Sequence, residues 1–288
     1  MNDESTSPQK VLLAVLAHPD DESFGTGGTL AYYAQNGVHV YLICATRGEA
    51  GEMEERYLRN FESIAERREA ELRCAAEKLG IKQVFFLNYR DSGMAGSRDN
   101  LHPEALVNQP LEKVASDISS IVEKLKPQVI ITFDPIGGYR HPDHIAIHKA
   151  TVQAFQAFYT AKATPQSAGS KFVPQKLYFH TIPKGMLKVG VFLMRIFGKD
   201  PRKFGKNKDV DLLSLTEVDF PTHAMIYYYP VIEIRQQASE CHASQGGGRM
   251  TRGPFGWLQR LLGAHDTYMR AYPPVSSKEV ERDLFDGI

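Results

Sequence analysis

Two short clusters hold the residues best suited to chemistry. Ala17-His18-Pro19-Asp20-Asp21-Glu22 gathers one imidazole and three carboxylates, and His141-Pro142-Asp143-His144 adds two imidazoles and another carboxylate. Imidazole nitrogen and carboxylate oxygen are good ligands for a divalent metal such as zinc. A catalytic zinc site needs three protein ligands and an open position for water. His18, Asp21 and His144 supply a two-histidine, one-carboxylate set. Water on such an ion has its pKa lowered toward about 7, which makes a nucleophile at neutral pH. Asp20, beside a ligand in the same tight loop, is placed to take that water's proton as general base. Singly, each cluster has a plainer reading: an Asp-Asp pair after a strand is commonly a turn or helix cap. Glu22 and, above all, Ser23 read as ordinary residues of a helix start. The two clusters together favour the metal.

The elements around them explain how distant clusters meet. Val11–Ala17 and Val38–Thr46 are continuously apolar, the pattern of strands covered on both faces. Between them Thr29–Gln35 reads as a helix stopped by Asn36-Gly37. Glu54–Leu79 reads as a long amphipathic helix ended by Gly80, followed by a strand at Val84–Leu87. Asn88–Pro110 is a long loop of the kind that often carries function. A helix at Leu111–Leu125, a strand at Val129–Phe133, a loop at Asp134–Pro142 and a helix at Ile145–Tyr159 complete the alternation. The expected fold is α/β: a Rossmann-like, open, mostly parallel, doubly wound sheet, with the metal site at the C-terminal edge of its strands.

We read residues 1–288 as one domain, with a regular core over 1–160 and a less regular part over 161–288 that completes it. In that second part Ala161–Ser170 reads as a small-residue linker, Leu177–Thr181 as a strand and Met186–Lys208 as a mixed basic and apolar insertion. Tyr227–Tyr229 reads as a half-buried strand. Gly246-Gly247-Gly248 reads as a flexible hinge or loop.

Composition narrows the partners. Lys+Arg and Asp+Glu both number 34, so the formal net charge is zero. That balance shows no basic footprint for nucleic acid and argues against a polybasic membrane anchor. No run approaches the roughly 20 apolar residues of a spanning helix, and the polar N-terminus lacks a secretory pattern. Cys44, Cys74 and Cys241 are far apart and odd in number, so the expectation is reduced thiols, with Cys44 and Cys74 as core residues, and a cytoplasmic location. Nothing in the sequence decides between a monomer and a homo-oligomer. His102, His180, His223 and His265 show no ligand spacing.

The motifs resemble those of the LmbE-like, or N-acetylglucosaminylphosphatidylinositol deacetylase-like (PIG-L), family. Its A-H-P-D-D-E stands at 17–22 and its H-P-D-H at 141–144. Gly25–Gly28 is similar to the family's glycine turn, Arg47–Glu52 to its second-strand loop, and Arg68, Glu71, Leu79 and Gly80 to its R-x-x-E…L-G helix. Tyr89–Met94 resembles a loop of mycothiol-related members, and Gly137–His144 the second metal loop. Arg235, Ala238, His242, Ser244 and Gln245 resemble a late K-x-x-A-x-x-x-H-x-S-Q segment, with Arg in place of Lys. Asp266-Thr267-Tyr268 departs from the Glu-x-Phe found in many members.

The resemblance implies a zinc-dependent removal of an acetyl group from an N-acetylglucosamine-type conjugate, a small-molecule substrate. It implies His18, Asp21 and His144 as ligands and Asp20 as base. His141 would stabilise the oxyanion or protonate the amine, with Asp143 orienting it, and Tyr139 would donate to the carbonyl oxygen. Arg68 and Asp91, with Glu49, are implied to bind sugar hydroxyls, and His242 to line the site. Protonated Asp20 and charged His141 both stand as donors to the leaving amine. Nitrogen and oxygen ligands accept iron(II) as well as zinc. Two alternatives stay open: an amidase that cleaves a larger acyl group, such as a cysteinyl amide in a mycothiol-like conjugate, and a catalytically silent sugar- or nucleotide-binding module.

Overall fold

The computed structural model describes residues 8–163, 172–182, 184–203, 211–248, 264–275 and 279–288. Parts of the expected linker (164–170) and insertion (204–208) lie outside them. Among the described residues seven strands form one sheet: β1 (Val11–Leu16), β2 (His39–Thr46), β3 (Gln83–Tyr89), β4 (Val129–Phe133), β5 (Lys176–Thr181), β6 (Ala224–Tyr227) and β7 (His265–Tyr272). Their order is β3-β2-β1-β4-β5-β7-β6. β1 to β5 are parallel, and β7 runs antiparallel to both β5 and β6. Helices α1 (Asp21–Phe24), α2 (Gly27–Gln35), α3 (Ile64–Leu79), α4 (Leu111–Leu125), α5 (Gly137–Arg140), α6 (Pro142–Ala163), α7 (Lys184–Ile196), α8 (Leu212–Thr216) and α9 (Ile232–Cys241) complete it.

Every residue of β1 is buried, because helices cover both faces of a parallel sheet. Each such aliphatic side chain contributes roughly 1.5–3 kcal/mol when fully buried. β1 pairs with β2 on one side and β4 on the other. That is the point where strand order reverses, and open α/β sheets bind ligands in the crevice it leaves.

The structure corrects the start of the long helix. α3 begins at Ile64, capped by Ser63, whose hydroxyl accepts from the Glu66 amide at 3.1 Å. Asn60, at φ +70, breaks any earlier helix. The cap at Gly80 is left-handed, φ +76. The strand expected across Tyr227–Tyr229 ends at Tyr227; Tyr228 is buried while Tyr227 and Tyr229 are exposed. Tyr228 fills the space a Cβ would need at Gly28, so that glycine is there for close packing. Gly247 likewise lies against the Ser239 carbonyl, leaving no room for a Cβ; it is packed, where a hinge was expected.

The cysteines are a further correction. Cys74 of α3 and Cys241 of α9 form a disulfide across 167 positions, and only Cys44 stays free and buried. The pairing arises from packing of α3 on α9, which spacing along the chain does not reveal. Asp266, at the departure from the Glu-x-Phe pattern, is buried; its carboxylate accepts from the Thr29 amide at 2.9 Å and hydroxyl at 2.7 Å, tying β7 to α2.

Candidate metal centre

Three loops meet at the switch point. The first leaves β1 and carries His18 to Asp21. Asp20 has φ +135, a conformation that a non-glycine residue holds only when its surroundings enforce it. The His18 amide donates to Asp21 Oδ2 at 2.7 Å, and the Asp20 amide to Glu22 Oε2 at 3.0 Å. Glu22 is fully buried; its Oε1 accepts from Ser23 at 2.5 Å and meets His242 Nε2 at 2.7 Å. The second loop leaves β4. Gly137 and Gly138 both have positive φ, and the buried Asp134 accepts from the amides of Ile136 and Gly138, each at 3.0 Å. This turn presents Tyr139 and delivers His141 to His144. The third follows β3: the Ser92 amide donates to Asp143 Oδ2 at 2.9 Å, and Asp91 accepts from the Gly93 amide at 2.8 Å.

Tautomers follow from these partners. His144 Nδ1 lies 3.2 Å from the Gly137 carbonyl, which can only accept, so Nδ1 carries the proton and Nε2 a lone pair. Phe133 stacks on that ring at 3.8 Å and holds its plane. His18 Nε2 lies 3.1 Å from Asp143 Oδ2 and 3.5 Å from Asp91 Oδ1, so it donates there and Nδ1 is the nitrogen left to face a cation. Burial lowers the His18 pKa, but Asp91, Asp143 and Asp21 more than offset that and raise it well above the usual range, so a cation would displace the Nδ1 proton. The His18 Nδ1 and His144 Nε2 nitrogens face one another at 3.2 Å. Asp21 closes the triangle, 3.5 Å from His18 Nδ1 and 3.2 Å from His144 Nε2. Ligands of a tetrahedral ion with bonds of about 2.0–2.1 Å stand roughly 3.3 Å apart. Two facing imidazole nitrogens and a carboxylate at that spacing fit a divalent cation.

Other histidine and carboxylate atoms are close enough to compete. His18, His141 and His144 form one further set, and His18, Asp91 and Asp143 another. The second is already used: Asp143 and Asp91 take the proton of His18 Nε2. Asp143 therefore orients His18, whereas His141 was the expected partner. His141 Nδ1 instead accepts from the Asp143 amide at 3.2 Å, leaving a proton on Nε2. Burial holds the His141 pKa well below the usual range, helped by His18 and His144.

Asp20 is half-buried, and its Oδ2 accepts from Arg68 Nη2 at 3.0 Å. Burial raises its pKa to about 6 against the pull of Arg68, with neighbouring Asp21 adding to the rise. Arg68 also donates to the carbonyls of Pro19 at 2.8 Å and Gly48 at 2.9 Å. It clamps the first loop to the β2 loop, where Glu49 is half-buried. Tyr139 is half-buried with its ring 5.0 Å from that of His144, and burial raises its pKa further, so its hydroxyl stays a donor. His242 is fully enclosed behind the loop, on Glu22. Glu22, Ser92 and Asp134 were not singled out for these roles. Their signal, a polar residue just past a strand, is too common to select them.

The fold and the cluster define an α/β protein whose sheet switch point carries a His-His-Asp set able to hold a divalent cation. The chain belongs to the PIG-L family, described as GlcNAc-PI de-N-acetylase, whose sequence profile matches residues 13–155. It is 34% identical to a 1D-myo-inositol 2-acetamido-2-deoxy-alpha-D-glucopyranoside deacetylase of Acidothermus cellulolyticus, over 96% of this chain and 94% of the relative. The fold matches N,N'-diacetylchitobiose deacetylase of Pyrococcus horikoshii with a TM-score of 0.59 at 18% identity, over 91% of this chain and 84% of that one. It also matches the 4-carboxy-2-hydroxymuconate hydratase of Pseudomonas putida KT2440, with a TM-score of 0.58 at 19% identity over 94% of this chain and 100% of the other.

Proposed function

We propose that this chain, acting as one domain, is a metal-dependent amide hydrolase that removes acetyl from the nitrogen of a small N-acetylglucosamine-type conjugate. The observation that carries the reading is the pair of imidazole nitrogens of His18 and His144, 3.2 Å apart beside Asp21, with the Asp20 carboxylate next to them in the chain. The similarity to the inositol glucosaminide deacetylase, across nearly the whole of both chains, supports the substrate class.

His18, Asp21 and His144 would hold the ion; zinc suits the donor set, and iron(II) is accepted by the same atoms. When bound, such an ion polarises an amide carbonyl and acidifies water. The remaining chemistry belongs to the chain. Asp20, held by Arg68, takes the proton of the attacking water and returns it to the leaving amine. A group with pKa near 6 is poised to do both near neutral pH. His141, neutral with its proton on Nε2, donates a hydrogen bond to the oxyanion. That assigns the amine's proton to Asp20. Tyr139, kept protonated, is a second donor to the same oxygen. Arg68 and Asp91 are buried and largely engaged within the protein, whereas Glu49, which accepts from the Arg47 amide at 3.2 Å, is the more exposed of the proposed sugar contacts. His242 acts from behind, through Glu22.

The loop at Tyr89–Met94, which resembles that of mycothiol-related members, is tethered to His18 and Asp143. Among the described residues no helix is long and apolar enough to cross a membrane. A cytoplasmic location rested partly on unpaired thiols, and the Cys74–Cys241 bond removes that ground. Acetate release from an N-acetylglucosaminyl inositol conjugate, compared with cleavage of a cysteinyl conjugate, tests the reading. Acetate release that depends on added metal supports it, and cleavage of the cysteinyl amide alone overturns it.

A further inference from the structure

Helix α7 has two apolar stripes. Leu187, Val191 and Met194 are partly or fully buried on the inner side. Val189, Phe192, Leu193 and Ile196 recur at i, i+3, i+4 and i+7 on the outer side and, with Phe197, are exposed, Phe192 at 62% and Phe197 at 74%. An inner stripe suffices to pack a helix on its protein. A second, bare stripe of large side chains marks a surface that meets something else.

The charge around it is one-sided. Lys188, Arg195, Lys199, Arg202 and Lys203 are all exposed, and Asp200 is the only acid between residues 184 and 203. The whole chain is neutral, so this segment concentrates cations that are balanced elsewhere. Apolar side chains flanked by Lys and Arg on a helix are the composition of an element that lies in the plane of a membrane interface. At 13 residues α7 spans about 20 Å, too short to cross a bilayer but long enough to lie on one.

We infer that α7 is a docking helix for an anionic lipid surface, with its outer stripe in the acyl boundary and its cations on the headgroups. A second copy of this chain fits less well. A twofold contact sets the same patch against itself and would bring cations onto cations. The docking face is joined to the candidate centre by packing contacts. α7 packs on α8, α8 packs on α5, and Arg140 of α5 donates to the Ser214 carbonyl of α8 at 3.4 Å. A cleft of about 300 Å³ lies here, lined by Ile136, Gly138, Leu187 and Leu215. The inference does not depend on the deacetylase reading.

Sedimentation of the full chain with phosphatidylcholine vesicles, with and without phosphatidylserine, tests it. At about 0.1 M salt the protein pellets only with the phosphatidylserine vesicles, and salt near about 1 M releases much of it, because the Debye length shrinks from about 10 Å to about 3 Å. F192S/F197S stays in the supernatant. K188E/R195E loses at least about tenfold in binding. Both variants keep the wild-type unfolding midpoint, since the four side chains are exposed. Wild type that stays in the supernatant with both vesicle types overturns the inference, as does F192S/F197S that pellets like wild type. Light scattering that shows a wild-type dimer reduced to monomer by F192S/F197S would also overturn it and assign the stripe to a second copy.

Discussion

At the scale of single residues, function depends on which ring nitrogen carries the proton. The Gly137 carbonyl and the Asp143 carboxylate each hold a histidine so that its other nitrogen faces the candidate metal position. Asp143→Asn keeps the shape but weakens the acceptor on His18. It is expected to lower metal affinity by about 10–100-fold, measured by competition with a chelator, with Asp143 proposed to orient a ligand and not to be one. Asp20→Asn is expected to cut kcat by about 10²–10⁴-fold while metal content stays at the wild-type level. Metal loss in that variant would show Asp20 to be a ligand. That His18, Asp21 and His144 would meet was legible in the sequence, because each stands beside other ligand types just past an apolar run. The partner of Asp143 was not: its neighbour in sequence is His141, and only the fold brings it to His18. The same holds for His242, whose place on Glu22 depends on α9 lying against the first loop.

At the scale of elements, the alternating β/α half was legible because buried parallel strands leave continuous apolar runs. β7 was not: its histidine, aspartate, threonine and arginine are accommodated by partners such as Thr29, Thr181 and Glu281. Nor was the bond between α3 and α9, which joins cysteines 167 positions apart. Replacing both with serine is expected to cost about 2–4 kcal/mol of stability, read as a lower denaturant midpoint with an intact fold. An unchanged midpoint would mean the two helices hold together without it. Gly28→Ala forces a Cβ into the Tyr228 ring and is expected to cost about 1–3 kcal/mol, visible in the same measurement.

At the scale of the molecule, the sheet order sets the location of chemistry and leaves its kind open. A hydratase shares this fold at a similar TM-score to that of a deacetylase, so the reaction has to be argued from the side chains at the switch point. Whole-chain charge was uninformative about α7, because a net of zero hides a local excess. The most direct test is a crystal structure of the metal-loaded chain with the ion located by its anomalous scattering. The account predicts one ion within about 2.0–2.2 Å of His18 Nδ1, His144 Nε2 and an Asp21 oxygen, with Asp20 beside it and not bound to it. An ion held instead by His18, Asp91 and Asp143, or by His141 in place of Asp21, would contradict it.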